Sequence, residues 1–246
     1  MTPSHWQTQP QEHSIDTASG LGRGPEAARW KRLARLAGAS YLLMFGLALV
    51  ANFVLLGQVL SPDPVTTAEN VAQNPQLLRW SAVAFLLIAS LDVLLAWLLP
   101  ILFQGVDRDL ARLMGWFRLS YSVVLILGVV FLVQASNPAV DSGSAVTFLE
   151  AFHTTWTVGL LLFGVHLILL GWLMIRGQYA TPVLGALVLL AGVAYVADTL
   201  SQIISSGVVD GQGPLTPIVA TLSVVAEGWL AIWLLLARRR PRQVGV

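Results

Sequence analysis

Five ionisable side chains lie well inside long apolar stretches of this sequence: Asp92, Arg118, His166, Asp198 and Glu227. An ionised side chain at the centre of a bilayer costs about 3 kcal/mol, so such residues are usually paired or functional. Carboxylates, an imidazole and a guanidinium in these positions could relay protons, bind a small ion or hold helices together. The sequence therefore indicates where chemistry would occur, but it does not select among these three roles.

Asp92, Arg118 and His166 are predicted to lie at a similar depth in the membrane. At about 1.5 Å per helical residue, Asp92 falls near the middle of its stretch, and Arg118 and His166 lie toward one end of theirs. Opposite charges at low dielectric stabilise each other's ionised forms. The spacing predicts an ion pair between Asp92 and Arg118 with His166 nearby. The alternative is that Arg118 extends to the lipid headgroups.

Polar residues also recur along single faces of two later stretches. The first face carries Tyr195, Asp198, Ser201 and Gln202, and the second carries Ser223 and Glu227. Because side chains of this kind are rarely exposed to lipid, both faces are predicted to line the interior of a helix bundle. That interior is either a hydrated cavity or a polar core in which neighbouring groups satisfy one another.

Glu150 and His153 form a Glu-x-x-His pair, which is half of the motif that holds iron in di-iron helix bundles. The sequence contains only one such pair, and His153 and His166 are turned about 140° apart on a helix. A catalytic zinc site usually takes three protein ligands, so we predict no metal site and no cofactor. His153 with Asp198 and Tyr195 could form either an active constellation or ordinary hydrogen bonds between two helices.

Composition identifies the elements that must position these residues. Hydrophobic residues make up 56% of the chain and charged residues 11%, against about 25% charged in soluble domains. A membrane-spanning helix takes about 20 mostly apolar residues. Six spans are predicted, at residues 36–60, 80–103, 113–134, 148–175, 182–204 and 217–237. The predicted fold is all-α, a polytopic membrane protein built as a bundle of six transmembrane helices.

The segments outside the spans are short. Residues 1–30 are predicted to be a flexible cytoplasmic tail, residues 31–240 the six-helix domain, and residues 241–246 a second short tail. The segment 61–76 between the first two spans is expected to form a surface helix capped by Thr66 or Thr67. The absence of cysteine excludes disulfides, thiolate metal sites and cysteine nucleophiles.

Two pairs of glycines each fall on one face of a predicted span: Gly164 with Gly171, and Gly185 with Gly192. Small residues let neighbouring helices approach closely. The fourth and fifth spans are therefore predicted to pack antiparallel along these faces. No span shows an evident break in its helix.

Basic residues are distributed unevenly between the two ends of the spans. All 14 Lys and Arg residues except Arg79 are assigned to one end, Arg118 included. Because cytoplasmic loops of membrane proteins carry the excess of Lys and Arg, both termini are predicted to be cytoplasmic. The run Arg238, Arg239 and Arg240 directly follows a span, so it is expected to contact anionic lipid. No nucleic-acid partner is expected, and a small-molecule ligand is not identified.

Several motifs resemble a known family. They are the opening KRLARLAGASYLL, the pair Leu99-Pro100, Arg118, the joint LLGWLMIRGQYATPVLGALVLLAGVAYV and the ending EGWLAIWLL. At the joint, the matching residues are Gly171-Trp-Leu, Arg176 and Pro182-Val-Leu-Gly185. Val183 departs from the pattern, since members often have Arg there, and the departure weakens an expected contact with lipid headgroups.

On these motifs the chain, from about Lys31 to Arg240, resembles the bacterial six-span family catalogued as domain of unknown function 4386. The resemblance implies a bundle of six membrane helices in a bacterial inner (plasma) membrane. It implies no activity.

Three functions remain open from the sequence. The first is a small structural or regulatory membrane protein with a polar intramembrane core. The second is a proton-coupled carrier of a small molecule or ion that uses the embedded carboxylates Asp92 and Glu227. The third is an intramembrane enzyme acting on lipid, with Glu150, His153 and Asp198 as acid and base. The sequence lacks a Gly-x-Ser-x-Gly nucleophile motif and a phosphate-binding loop, so the third has the least support.

Overall fold

Helices and short turns make up the part of the chain that this computed structural model describes, residues 23–178, 180–205, 213 and 215–236, and this part contains no strand. The α-helices are α1 (Arg23–Leu49), α2 (Pro64–Gln73), α3 (Pro75–Phe103), α4 (Arg108–Ala135), α5 (Ser142–Arg176), α6 (Pro182–Ile204) and α7 (Thr216–Leu236). All except α2 belong to six segments that are long and apolar enough to cross a membrane. The predicted all-α, six-span architecture is confirmed. Helix α1 begins inside the segment predicted to be a tail.

The six spanning helices form a ring in chain order. Helix α3 packs against α1 and α4, α4 against α5, α5 against α6, and α6 against α7, which returns to α1. Because successive spans alternate in direction, the start of α1, the end of α7 and the α3–α4 and α5–α6 turns share one end of the ring. We call this end the basic face, since its described cations are Arg29, Lys31, Arg32, Arg35, Arg108, Arg112 and Arg176. The other end is the opposite face.

Apolar side chains cover the outside of the ring, whereas charged side chains occupy its centre. Phe53, Trp116 and Leu127 are among the most exposed apolar residues, while Asp92 and Arg118 are buried. This distribution is the reverse of a soluble domain and suits a surface solvated by lipid chains. The ring therefore carries its polar residues toward an interior that lipid does not reach.

The first span does not end as a regular α-helix, although its helical path is continuous from Glu26 to Gln58. After α1 the chain continues as a π-helix over Val50–Leu55 and a 3-10 turn over Leu56–Gln58. A π-helical turn is wide and rare, a 3-10 turn is tight, and both depart from the regular α-helical hydrogen-bond pattern. The side chain of Asn52 compensates by donating from Nδ2 to the Ala48 carbonyl at 3.0 Å. Asn70 of α2 then donates to the Val59 carbonyl at 3.2 Å, which fastens the end of the span to the surface helix.

The predicted surface helix is present as α2, but its predicted caps are wrong. The N-cap is Asp63, whose carboxylate accepts hydrogen bonds from the backbone N–H groups of Val65 and Thr66. Thr66 lies inside the helix and donates its hydroxyl to the same carboxylate at 2.6 Å. A carboxylate suits this position because the helix N-terminus is partly positive. The Thr66 hydroxyl, followed by the two N–H groups, holds the pKa of Asp63 below its ordinary value of 3.8.

Helices α5 and α6 pack through the two glycine pairs, as the spacing predicts. A Cβ added at Gly164 would lie 2.8 Å from the carbonyl oxygen of Gly192, and one added at Gly171 would lie 2.6 Å from that of Gly185. Only a hydrogen at these positions permits such backbone contact.

Candidate functional site

Arg118 lies at the centre of the ring and is completely buried, with 0% of its surface exposed. It extends from α4, the helix that packs between α3 and α5. A buried guanidinium is tolerated only where partners replace its hydration. Its partners come from three other helices, which makes Arg118 the residue through which the ring is joined across its middle.

The closest partner of Arg118 is Asp92 of α3. The Nη2 atom of Arg118 lies 2.5 Å from Oδ1 of Asp92, whose exposure is 1%. The two groups form a buried ion pair. The structure thus contains the expected pair, and Arg118 does not extend to the headgroups. Because Arg118 is buried in the core, it does not belong with the cations of the basic face.

His166 of α5 completes the triad, and its hydrogen-bond partners define its tautomer. Its Nε2 lies 3.0 Å from Nη1 of Arg118, and its Nδ1 lies 3.0 Å from the Met114 carbonyl oxygen. A guanidinium only donates and a carbonyl only accepts. Nδ1 therefore carries the proton and Nε2 accepts from Arg118. His166 is a neutral acceptor in this arrangement and adds no charge to the core.

Helix α1 contributes Tyr41 and Met44, which the sequence analysis did not identify. Arg118 donates from Nη1 to the Tyr41 hydroxyl at 2.7 Å, and its Nη2 lies 3.8 Å from the Met44 sulfur. The guanidinium also lies over the rings of Tyr41 and Phe163, 4.8 and 5.3 Å from their centres, a favourable cation–π geometry. The first span has no Asp, Glu, Lys, Arg or His in its apolar part, so its contribution had to come from uncharged side chains, and no pattern in the sequence marked Tyr41 or Met44 among them.

Helices α6 and α7 contribute Tyr195 and Glu227 to the same interior. The Tyr195 hydroxyl interacts with the Glu227 carboxyl group and with Ser223. Glu227 falls on the buried face of α7 between Ser223 and Ala231, and it interacts electrostatically with Arg118 and Asp92. All six spanning helices therefore contribute a side chain to one polar core.

Glu227 differs from Asp92 in its surroundings. Glu227 is half-buried, whereas Asp92 and Arg118 are fully buried. The polar core thus holds one guanidinium and two carboxyl groups, and Glu227 is the less buried of the two acidic residues.

Asp198 and Gln202 lie apart from this core, toward the opposite face. The Asp198 carboxylate accepts from Gln202 Nε2 at 2.8 Å and from the Thr216 hydroxyl at 3.1 Å. Thr216 in turn accepts from the backbone N–H of Gly213 at 2.8 Å. This network, which we call the α6–α7 latch, closes the connection between the last two spans. The polar face predicted on α6 is therefore divided, since Tyr195 joins Glu227 while Asp198 and Gln202 form the latch.

Glu150 and His153 lie on the half of α5 near the opposite face, and the contacts described for them join neither to Asp198. His153 packs its ring against Phe152 and Trp156, with centres 5.4 and 6.5 Å apart. The described residues contain no group of three His, Asp or Glu arranged to hold a metal ion. Among the described residues, no hydrogen bond or ion pair joins Glu150, His153 and Asp198, the acid–base trio of the enzyme hypothesis. Arg238, Arg239 and Arg240, where anionic lipid was predicted, lie outside the described residues.

Comparisons with known proteins identify a family and a relative, and neither description names an activity. Residues 36–237 match the family described as a domain of unknown function, DUF4386. A protein of Archaeoglobus fulgidus described as uncharacterized is 28% identical over 165 residues, which are 67% of this chain and 88% of that relative. No solved structure is significantly similar to the chain. The polar core must therefore be interpreted from its own chemistry.

Proposed function

The chain belongs to the DUF4386 family, a domain of unknown function, and on that premise we propose that it is a small structural or regulatory membrane protein. In this proposal the polar core holds the six helices in one arrangement that lipid or a partner protein recognises. The observation that supports it is the complete burial of Arg118 among side chains of α1, α3 and α5. A group that transported or transformed a ligand would need accessible surface, and Arg118 and Asp92 lack it.

The energetics of buried ion pairs support the same role. Desolvation of two charges offsets most of their attraction, so such a pair adds little net stability, yet leaving one partner alone costs about 3–5 kcal/mol. A misregistered helix would separate Arg118 from Asp92 and incur that cost. The core therefore penalises wrong arrangements of the ring more than it stabilises the correct one.

Paired substitutions test this proposal. Asp92→Asn and Arg118→Gln alone are expected to lower thermal stability in detergent by about 3–5 kcal/mol, and Asp92→Leu with Arg118→Met to recover most of it. Arg112→Gln, an exposed change on the same helix, is the control and should shift stability by less than about 0.5 kcal/mol. A double variant that regains stability but loses proton flux that the natural protein shows in liposomes would contradict a structural role.

Glu227 supports a second candidate, a proton-coupled carrier of a small molecule or ion. Two carboxyl groups share one guanidinium in the core, so ionisation of both leaves one negative charge to be balanced by a proton or a cation. Glu227 is also half-buried rather than fully buried, and a loading site requires an accessible group. In liposomes with an internal pH dye and a potassium diffusion potential, proton uptake is expected to disappear in Glu227→Gln and persist in Glu150→Gln. Uptake no faster than in protein-free liposomes would remove this candidate.

The membrane and the orientation are also part of the proposal. The chain is a multi-pass membrane protein by the length and composition of its six apolar segments. We place its basic face in the cytoplasm of a bacterial cell, at the inner membrane. The excess of Arg and Lys at that face supports the orientation, and the resemblance to bacterial six-span proteins supports the membrane.

A further inference from the structure

A groove runs along the outside of the ring between α3 and α4, on the half nearer the basic face. Its volume is about 400 Å³, and its walls include the large exposed side chains Trp97 and Trp116. Trp97 belongs to α3 and Trp116 to α4, so each helix contributes one tryptophan to the walls. It faces the surroundings of the ring, where the membrane lies, and it is separate from the polar core inside.

The groove exists because small side chains lie beneath it. A Cβ added at Gly115 would lie 2.5 Å from Cγ of Pro100 and 2.8 Å from the carbonyl oxygen of Ala96. Helices α3 and α4 therefore touch backbone to side chain at Gly115. The three small residues form the floor, and Val93 and Leu119 continue it toward the membrane centre. The floor and walls are apolar and would accept a hydrocarbon chain.

The end of the groove at the basic face is cationic. Arg108 and Arg112 line that end, together with Gln104, and both arginines are exposed. Arg112 has one acidic neighbour, Asp109, at 3.4 Å, in a pair that is largely exposed and therefore weak. Two guanidinium groups one helical turn apart suit the oxygens of a phosphate, which they can contact through several N–H groups.

We propose that this groove is a binding site for an anionic phospholipid. One acyl chain lies on the floor between Trp97 and Trp116, and the phosphate of the headgroup contacts Arg108 and Arg112. The apolar floor and the two arginines are placed consistently with one lipid molecule. When an acyl chain occupies the floor, the headgroup of the same lipid lies beside Arg108 and Arg112. Basic pockets between spanning helices at the cytoplasmic side are typical sites for anionic lipid.

Competition between two lipids tests the site. The detergent-purified chain is incubated with equal amounts of phosphatidylglycerol and phosphatidylcholine of identical acyl chains, and retained lipid is counted by native mass spectrometry. The natural protein should retain phosphatidylglycerol over phosphatidylcholine by roughly tenfold or more, from two cations near the headgroup. Free glycerol phosphate at the same concentration should not displace it, because the acyl chain is part of the contact.

Two variants and one control distinguish lipid binding in the groove from general attraction of anionic lipid to the cations of the basic face. Arg108→Gln with Arg112→Gln should bring the two lipids to near parity, whereas Arg32→Gln with Arg35→Gln, exposed cations of the same face, should keep the preference. Val93→Trp fills the apolar part of the groove at an exposed position, so it should reduce retention of both lipids. Equal loss of preference in the two double variants, or unchanged retention in Val93→Trp, would overturn the proposal.

Discussion

His166 accepts a hydrogen bond from Arg118 at 3.0 Å while its other ring nitrogen donates to the Met114 carbonyl at 3.0 Å. The first contact joins α5 to α4 through side chains, and the second joins the same two helices through the backbone of α4. Both ring nitrogens are therefore occupied by fixed partners. A histidine held in this way positions an arginine and is not free to exchange protons without breaking one of the two bonds.

Replacement of His166 is expected to destabilise the ring. His166→Ala leaves a buried N–H of Arg118 without its acceptor and removes the side-chain hydrogen bond to the Met114 carbonyl, which costs about 1–3 kcal/mol. Thermal unfolding in a mild detergent measures the loss. His153→Ala is the matched control on the same helix, and because His153 contacts aromatic rings its loss should be smaller. Equal losses in both variants would contradict the role assigned to His166.

Close packing of α5 on α6 predicts a contrast between two glycines. A Cβ at Gly192 would meet the Gly164 carbonyl oxygen at 2.5 Å, whereas a Cβ at Gly228 has nothing within 4 Å. Gly192→Ala should therefore lower stability by about 1–3 kcal/mol through overpacking. Gly228→Ala should raise stability slightly, because it removes the conformational freedom of a glycine in a helix. The melting temperatures of the two variants, compared in one detergent, decide the outcome.

The α6–α7 latch predicts a local effect rather than a global one. Thr216→Val removes the hydroxyl that donates to Asp198 and accepts from the Gly213 backbone. We expect faster amide exchange in the connection between α6 and α7 and an unchanged rate in α4. Thr221→Val, an exposed threonine of α7 whose hydroxyl bonds only within its own helix, is the control. Uniformly faster amide exchange throughout the protein would show that the α6–α7 latch stabilises the whole fold and not only the connection between α6 and α7.

As the pH is lowered, helix α2 is expected to lose stability before the ring of six spanning helices does. The pKa of Asp63 is held below 3.8 by the Thr66 hydroxyl and then by the N–H groups of Thr66 and Val65. A depressed folded-state pKa gives stability above the unfolded value and loses it as the pH falls through the folded value. Amide exchange in α2 should therefore accelerate below pH 3.8. Asp63→Ser keeps a cap that does not titrate, so it should abolish this pH dependence.

Single cysteines test the orientation directly, because the chain has no natural cysteine. Asp109→Cys lies on the basic face at an exposed position, and Ser144→Cys is exposed near the start of α5 on the opposite face. A membrane-impermeant thiol reagent applied to intact cells should label Ser144→Cys only. After permeabilisation it should label both. Labelling of Asp109→Cys in intact cells would reverse the proposed topology.

Several features could be predicted from the sequence because they depend on local pattern. Runs of about 20 apolar residues predict spans, and the glycine spacing predicts the contact of α5 with α6. The ion pair of Asp92 with Arg118 could be predicted because the depth of a residue in the membrane follows from its position along a helix. The roles of Tyr41 and of the Met114 carbonyl could not be predicted, since neither an aromatic hydroxyl in an apolar span nor a backbone group stands out in a sequence. The π-helix after Leu49 has no signal in residue types either.

The sequence alone determined the number of spans, the apolar exterior and the ionisable residues that had to be buried together. It did so because the free energy of transfer into lipid depends on residue type and run length. Only the tertiary structure decided that the helices close into a ring, that Arg118 has partners on three other helices, and that Asp198 belongs to the latch while Glu227 belongs to the core. Those outcomes depend on how each helix is rotated about its axis, and packing among all six helices sets that rotation.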